Sequence, residues 1–232
     1  MNDKNWERWG AATGYLVFIL GIAAAAFERG APPVNAPVEE TLAFLTKYRS
    51  ELLAQSLLFV LSAGAYLWFF GSLRSFLFRA EGNTGTLSTI SFGAGVIWSG
   101  LQMVLQSAQV ALAMGASGDI EPSLAGMISD LTYALSVIAY VPMSVMLAAV
   151  AAVAFRSRAF PVWLGWLSVI TATINLLLSL GLLADSGLLV PGGILSYVVY
   201  LLSAIWLLAT TTVMFMRLGK PARATLIPEM QK

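Results

Sequence analysis

Residues 128–154 read ISDLTYALSVIAYVPMSVMLAAVAAVA, and Asp130 is the only residue among them charged at neutral pH. A helix rises about 1.5 Å per residue and the hydrocarbon core of a bilayer is about 30 Å thick, so about 20 mostly apolar residues cross it. This stretch is longer than that. A strand of a transmembrane barrel would instead alternate apolar and polar residues over roughly ten positions. Residues 128–154 therefore read as a membrane-spanning helix, and five more runs pass the same test: about 9–27, 52–73, 88–114, 161–183 and 192–216. The expected fold is all-α, a polytopic transmembrane bundle of six helices forming one domain over 1–232, with 217–232 as a tail.

Composition supports that reading. The chain is 58% hydrophobic and 11% charged, against about a quarter charged in an ordinary soluble domain, and its mean hydropathy is +0.79. Its 232 residues make one helical bundle and leave no room for a second domain of typical size. A net charge of +1 gives no electrostatic case for nucleic acid as a partner. Cysteine and histidine are both absent, so disulfides, thiolate chemistry, imidazole catalysis and the usual ligands of zinc, copper and haem are absent too. No acidic run resembles a calcium loop. Neither a cofactor nor a metal is expected.

Turn residues separate the runs: Pro32, Pro33, Asn35 and Pro37 in the first connection, EGNTGT over 81–86, GASGDIEP over 115–122 and DSGLLVPGG over 185–193. Pro37, Pro122, Pro161 and Pro191 stand near the starts of helical runs, where the missing N–H costs nothing. Orientation follows from Lys and Arg, which concentrate on the cytoplasmic side. With the N-terminus inside, Lys4, Arg8, Arg74, Arg79, Arg156, Arg158, Arg217, Lys220, Arg223 and Lys232 are cytoplasmic, ten of the thirteen cations. Glu28, Glu39, Glu40, Glu51, Asp119, Glu121, Asp130 and Asp185 then lie outside, eight of the twelve acids. The expected topology is N-in/C-in in the cell inner (plasma) membrane, with 217–232 cytoplasmic. The first span, with its charged start and the run Ala23 to Ala26, also fits a cleaved signal peptide. Against that, its apolar stretch is long, and Gly10, Gly14 and Gly21 form a small-residue stripe suited to helix packing.

Pro37 to Ser50 reads as a short extracytoplasmic helix before the second span, with Val38, Leu42, Leu45 and Leu52 near one face. It either lies at the membrane interface or merely extends the second span. Trp68, Trp98, Trp163, Trp166, Tyr48 and Tyr197 include rings near the expected interfaces.

The third span is the most informative for function. Ser88, Ser91, Gly95, Ser99, Gln102, Gln106 and Gln109 recur every three or four residues, which at 100° per residue confines them to an arc of about 80°. Ile97, Leu101, Val104 and Leu105 lie elsewhere. An unsatisfied amide in hydrocarbon costs several kcal/mol, so the glutamines are expected to face other helices or water. Matching faces occur as Gln55, Ser62 and Tyr66 in the second span; Ser129, Tyr133, Ser136, Tyr140 and Ser144 in the fourth; Ser168, Thr171, Asn175 and Ser179 in the fifth; and Ser196, Tyr200, Ser203 and Thr210 in the sixth. Candidate pocket-lining residues are Gln55, Gln102, Gln106, Gln109, Tyr133, Tyr140, Asn175 and Tyr200. The competing account is that such residues are ordinary interhelical glue, at about 0.6 kcal/mol per hydrogen bond.

Ionisable residues that mark ion paths inside membranes are nearly absent, only Glu51 and Asp130 standing at span starts, where the helix macrodipole alone favours an acid. Pro142 can kink the fourth span and free backbone carbonyls. No catalytic set emerges: without histidine a serine nucleophile needs a Lys or carboxylate base, all four lysines lie outside the spans, and no two aspartates share the membrane. An enzyme is not expected.

The segment Arg158 to Asn175, RAFPVWLGWLSVITATIN, opens a span with a basic residue, Pro161 and then Leu164-Gly165. It resembles a bacterial family of uncharacterised integral membrane proteins, catalogued as a domain of unknown function, whose penultimate span opens with a similar Pro-x-x-Leu-Gly phrase. The likeness extends to a loop and helix leading into a second span that contains Glu and Ser. What it implies is a six-helix architecture in a bacterial inner membrane, with no functional residue carried over. Two functions remain in view. One is an outward-facing polar pocket that binds or passes a small, largely uncharged solute. The other is a non-catalytic structural or regulatory subunit, packed against a membrane-protein partner or its own copies in the lipid bilayer.

Overall fold

A computed structural model describes residues 3–30, 32, 36–82, 84–116, 120–184 and 187–219, with side chains from Trp6 onward. Pro33, Asn35, Asp119, Asp185 and the tail cations Lys220, Arg223 and Lys232, used above for turns and orientation, lie outside the described residues. The chain folds into α1 (Asp3–Ala25), α2 (Val38–Lys47), α3 (Arg49–Glu81), α4 (Thr86–Gly115), α5 (Pro122–Ile138), α6 (Tyr140–Arg156), α7 (Val162–Leu178), a 3₁₀ turn (Ser179–Leu183) and α8 (Ile194–Leu218). No strand occurs among the described residues. Six helical segments are long and apolar enough to cross a membrane, with α5 and α6 together forming one and α7 with its 3₁₀ turn another. That is the architecture of a multi-pass membrane protein.

Helix ends follow local chemistry. Pro37 and Pro161 are the residues before α2 and α7, and Pro122 is the first residue of α5, positions that need no N–H donor. Gly82 and Gly85, both at positive φ, turn the chain from α3 into α4, a backbone conformation that glycine adopts without strain. Inside that turn, the Glu81 carboxylate accepts the backbone N–H groups of Leu87 (2.9 Å) and Ser88 (3.0 Å). It caps the start of α4, a role that the EGNTGT pattern did not reveal. The fourth span breaks at Ala139, three residues before Pro142, and the Met143 N–H reaches the Ala139 carbonyl only at 3.5 Å. Pro142 has no N–H for the Ile138 carbonyl and its ring crowds it, which accounts for the interruption.

The spans form a closed ring. In chain order α1 packs on α3, α3 on α4, α4 on α6, α6 on α7 and α7 on α8, and α8 returns to α1, while α3 also touches α6. Close approach at the seams depends on missing side chains: a Cβ on Gly10 would overlap Ser72, one on Gly14 would overlap Thr211, and one on Gly95 would lie 2.8 Å from the Phe70 ring. Gly21 lies open, so only the first two glycines of the expected stripe pack.

The ring has two unlike halves. The N-terminal half, nearest the start of α1, is filled by one continuous core that includes Phe69, Phe70, Leu73, Leu77, Met146, Leu147, Val150, Leu164, Trp206 and Met214. Trp98 belongs to it, edge-on to Tyr66 at 4.9 Å, and so faces inward rather than toward an interface. At the opposite end, the α2 end, apolar packing splits in two. One cluster joins Leu45, Leu52, Leu112, Ala113 and Ala125 across α2 to α5; the other joins Tyr140, Leu178 and Val199 across α6 to α8. Large side chains such as Ile97, Val104, Leu131, Ile170 and Leu201 stand exposed around the ring, as lipid contact requires.

Candidate functional site

The polar face expected on α4 points into the bundle along its length: Ser88, Ser91, Gly95, Ser99 and Gln106 are buried, Gln102 and Gln109 partly so. Toward the N-terminal half, Gly95 admits the Phe70 ring and Ser88 lies at the Glu81 cap. Toward the α2 end, Gln109 meets Gln55 of α3.

Gln55 is the centre of that meeting. It is buried on α3, and its Nε2 donates to Glu28 Oε2 at 2.7 Å and to the Ala24 carbonyl at 3.5 Å, just past and within the last turn of α1. Gln109 of α4 donates from Nε2 to Gln55 Oε1 at 3.4 Å. A chain Gln109–Gln55–Glu28 thus crosses from α4 through α3 to α1. One turn deeper on α4, Gln106 is 5% exposed and its Oε1 has no hydrogen-bond partner among the described residues.

Two further candidates, Tyr140 and Tyr200, stand on α6 and α8. Tyr140, 6% exposed, keeps its hydroxyl within the bundle, where it meets the side chain of Tyr200 on α8. Tyr200 is 59% exposed.

The remaining sequence candidates go elsewhere. The Tyr133 hydroxyl donates to the carbonyls of Gly181 (2.9 Å) and Ala184 (3.3 Å), tying α5 to the 3₁₀ turn after α7. Asn175 is buried and donates to the Thr171 carbonyl within its own helix at 2.8 Å. Many of the hydroxyls on these faces do likewise: Ser129, Ser136, Ser168 and Thr171 each donate to a carbonyl three or four residues back. True interhelical bonds are Ser144 to the Ala172 carbonyl (2.9 Å) and Trp206 Nε1 to Ser168 Oγ (2.8 Å), both at the seams of α7. Among the described residues no three acidic side chains gather as a metal site. Glu28 is the member that sequence reading missed, having been taken as a loop acid. Its signal was its place one turn past the first span, level with Gln55 near the start of the second.

Two recesses open on the outside of the ring. One of about 310 Å³ between α6 and α7 is lined by Ser144, Ala148, Ala151, Phe155, Ala172 and Thr173; another of about 550 Å³ between α1 and α3 is lined by Trp6, Glu7, Trp68, Gly71, Ser72 and Ser75. Neither holds a sequence-predicted site residue.

No family model matches the chain, and neither a curated protein nor a solved structure shows significant similarity to it.

Proposed function

We propose that the α2 end faces the cell exterior and that the polar group there forms an outward-facing pocket that binds or passes a small, largely uncharged solute. In this reading both termini are cytoplasmic, α2 is an extracytoplasmic helix at the mouth, and the protein sits in a bacterial inner membrane. The Lys and Arg distribution supports the orientation, and the Pro161-x-x-Leu164-Gly165 phrase supports the family setting. The protein is read as a non-enzyme, since it has neither cysteine nor histidine and all four of its lysines lie outside the spans.

The observation that carries the solute site is Gln106 Oε1, an acceptor on a residue only 5% exposed and without a hydrogen-bond partner among the described residues. Buried polar groups in folded proteins are nearly always hydrogen-bonded, and one left without a partner costs about 1–3 kcal/mol. A pocket that admits water or a ligand removes that cost; a sealed bundle does not. The second reading, a structural or regulatory subunit, is favoured by the Gln109–Gln55–Glu28 chain, whose members satisfy one another without any ligand.

Cysteine accessibility tests the proposal, because the chain has no native cysteine. Gln106→Cys and Tyr200→Cys are expected to react with an impermeant thiol reagent added outside intact cells. Leu147→Cys, within the apolar core, is expected to stay unreactive. If Gln106→Cys is inert while Leu188→Cys in the exposed 187–193 loop reacts, no hydrated route reaches Gln106 and the subunit reading takes its place.

A further inference from the structure

We infer that the recess between α1 and α3 binds a phospholipid with a primary amine in its headgroup, of the phosphatidylethanolamine type, its phosphate on Arg79, its ammonium on Glu7 and an acyl chain against Leu67, Trp68 and Gly71. The recess lies at the end of the bundle opposite the solute site and its lipid does not depend on that site.

The recess, of about 550 Å³, changes character along its length. Its α3 wall is Leu67, Trp68, Gly71, Ser72 and Ser75, positions three or four apart that share one helix face. Arg79 continues that face one turn beyond Ser75, so apolar, hydroxyl and cationic groups follow one another over about 18 Å of helix. A glycerophospholipid lying along a span has the same order, from acyl chain through ester to phosphate. Trp6 and Glu7 of α1 form the opposite wall. A Cβ on Gly71 would meet nothing within 4 Å, so the recess is open at its middle. The Trp6 and Trp68 rings stack at 6.3 Å and 17° across it and are 52% and 62% exposed. Indole rings gather where hydrocarbon meets the headgroups, which sets the level of that boundary on the recess.

Charge selects the headgroup. Glu7 lines the recess and takes Arg79 Nη1 at 2.5 Å, the one ion pair among the described residues. The Arg79 and Glu7 side chains are 49% and 26% exposed, so the pair is open to water. An exposed pair of this kind contributes little by itself, and opening it for a headgroup costs little. A headgroup with phosphate as its only charge would gain Arg79 but set its negative charge beside Glu7. A choline headgroup brings a cation without any N–H donor. A primary ammonium next to a phosphate meets both partners: Glu7 accepts from the ammonium, which has three donors, and Arg79 donates to the phosphate. Each charge then keeps a counter-charge.

The test uses the full chain in detergent, freed of lipid and then supplied with phosphatidylethanolamine, phosphatidylcholine or phosphatidylglycerol of the same acyl chains, and is read by thermal unfolding. At about a hundred times its dissociation constant, phosphatidylethanolamine is expected to raise the midpoint by about 5–10 °C, and the other two lipids by less than half as much. Gly71→Leu puts a side chain into the open part of the recess; it is expected to keep the lipid-free midpoint and lose the phosphatidylethanolamine response. Glu7→Gln frees Arg79 of its acid and is expected to move the preference to phosphatidylglycerol, a change that loss of a merely structural ion pair does not produce. Equal responses to the three lipids, including no response to any, overturn the inference, as does a phosphatidylethanolamine response retained in Gly71→Leu or a preference unchanged in Glu7→Gln. A lipid-free dimer that Gly71→Leu splits into monomers overturns it too, because the recess then seats a second copy of the chain. So does a response to soluble phosphoethanolamine as large as that to the lipid, since no acyl chain is then recognised.

Discussion

Replacing Gln55, Gln106 and Gln109 one at a time with leucine separates a hydrated pocket from a sealed polar seam, because the three amides differ in their partners. Gln55 holds one short, charge-assisted bond to Glu28 at 2.7 Å and two contacts near the limit, 3.4 Å to Gln109 and 3.5 Å to Ala24. Hydrogen bonds to charged groups contribute about 1.5–3 kcal/mol in soluble proteins, but interhelical bonds in membranes average about 0.6 and reach about 1.7. Glu28 sits at the rim, where water can replace Gln55, so the loss in Gln55→Leu lies nearer the membrane values, about 1 kcal/mol. For a chain of this size that lowers the unfolding midpoint by about 2–4 °C. Gln109→Leu removes only the 3.4 Å contact and is expected to lower it by less than half as much. Gln106 has no partner for its Oε1, so Gln106→Leu deletes an unsatisfied acceptor and is expected to leave the midpoint unchanged or raise it. Thermal unfolding of the three variants in one detergent gives the order Gln55, then Gln109, then Gln106. A drop for Gln106→Leu as large as that for Gln55→Leu would refute the reasoning, since it requires a partner that the structure does not give this side chain.

Topology is tested with single cysteines: Leu188→Cys is expected to react from outside intact cells and Thr84→Cys only after permeabilisation, and the reverse pattern inverts the proposed orientation. Glu81→Ala removes the carboxylate that accepts two N–H groups of the first turn of α4 and is expected to cost about 1 kcal/mol, as loss of a helix cap does; unchanged unfolding would show that water replaces the cap. Trp206→Phe keeps the ring in the core but loses its bond to Ser168, with an expected loss of about 0.6–1.7 kcal/mol, checked by unfolding of the variant beside a Ser168→Ala variant, which should lose a similar amount. Asp130 is exposed, so Asp130→Asn is expected to shift the midpoint by less than about 1 °C, consistent with surface substitutions of about 0.5 kcal/mol or less.

The sequence by itself determined the six spans and the inward direction of the polar face on α4, because apolar run length and the 3.6-residue period are local properties of the chain. It also marked Pro142 as the weak point of the fourth span, since a missing N–H acts within one turn. Tertiary structure decided which polar residues meet. Tyr133 and Asn175 carried the same pattern signal as Gln55, yet one bonds the turn after α7 and the other its own helix. Glu28 carried no such signal and joins the site because α1 packs on α3 and places the end of the first span beside Gln55. The division of the bundle into a half filled by one apolar core and a half with split packing likewise depends on the closing of α8 against α1. A period in the sequence tells which face of a helix turns inward; which atoms find partners there depends on the depth and rotation of helices far apart in the chain.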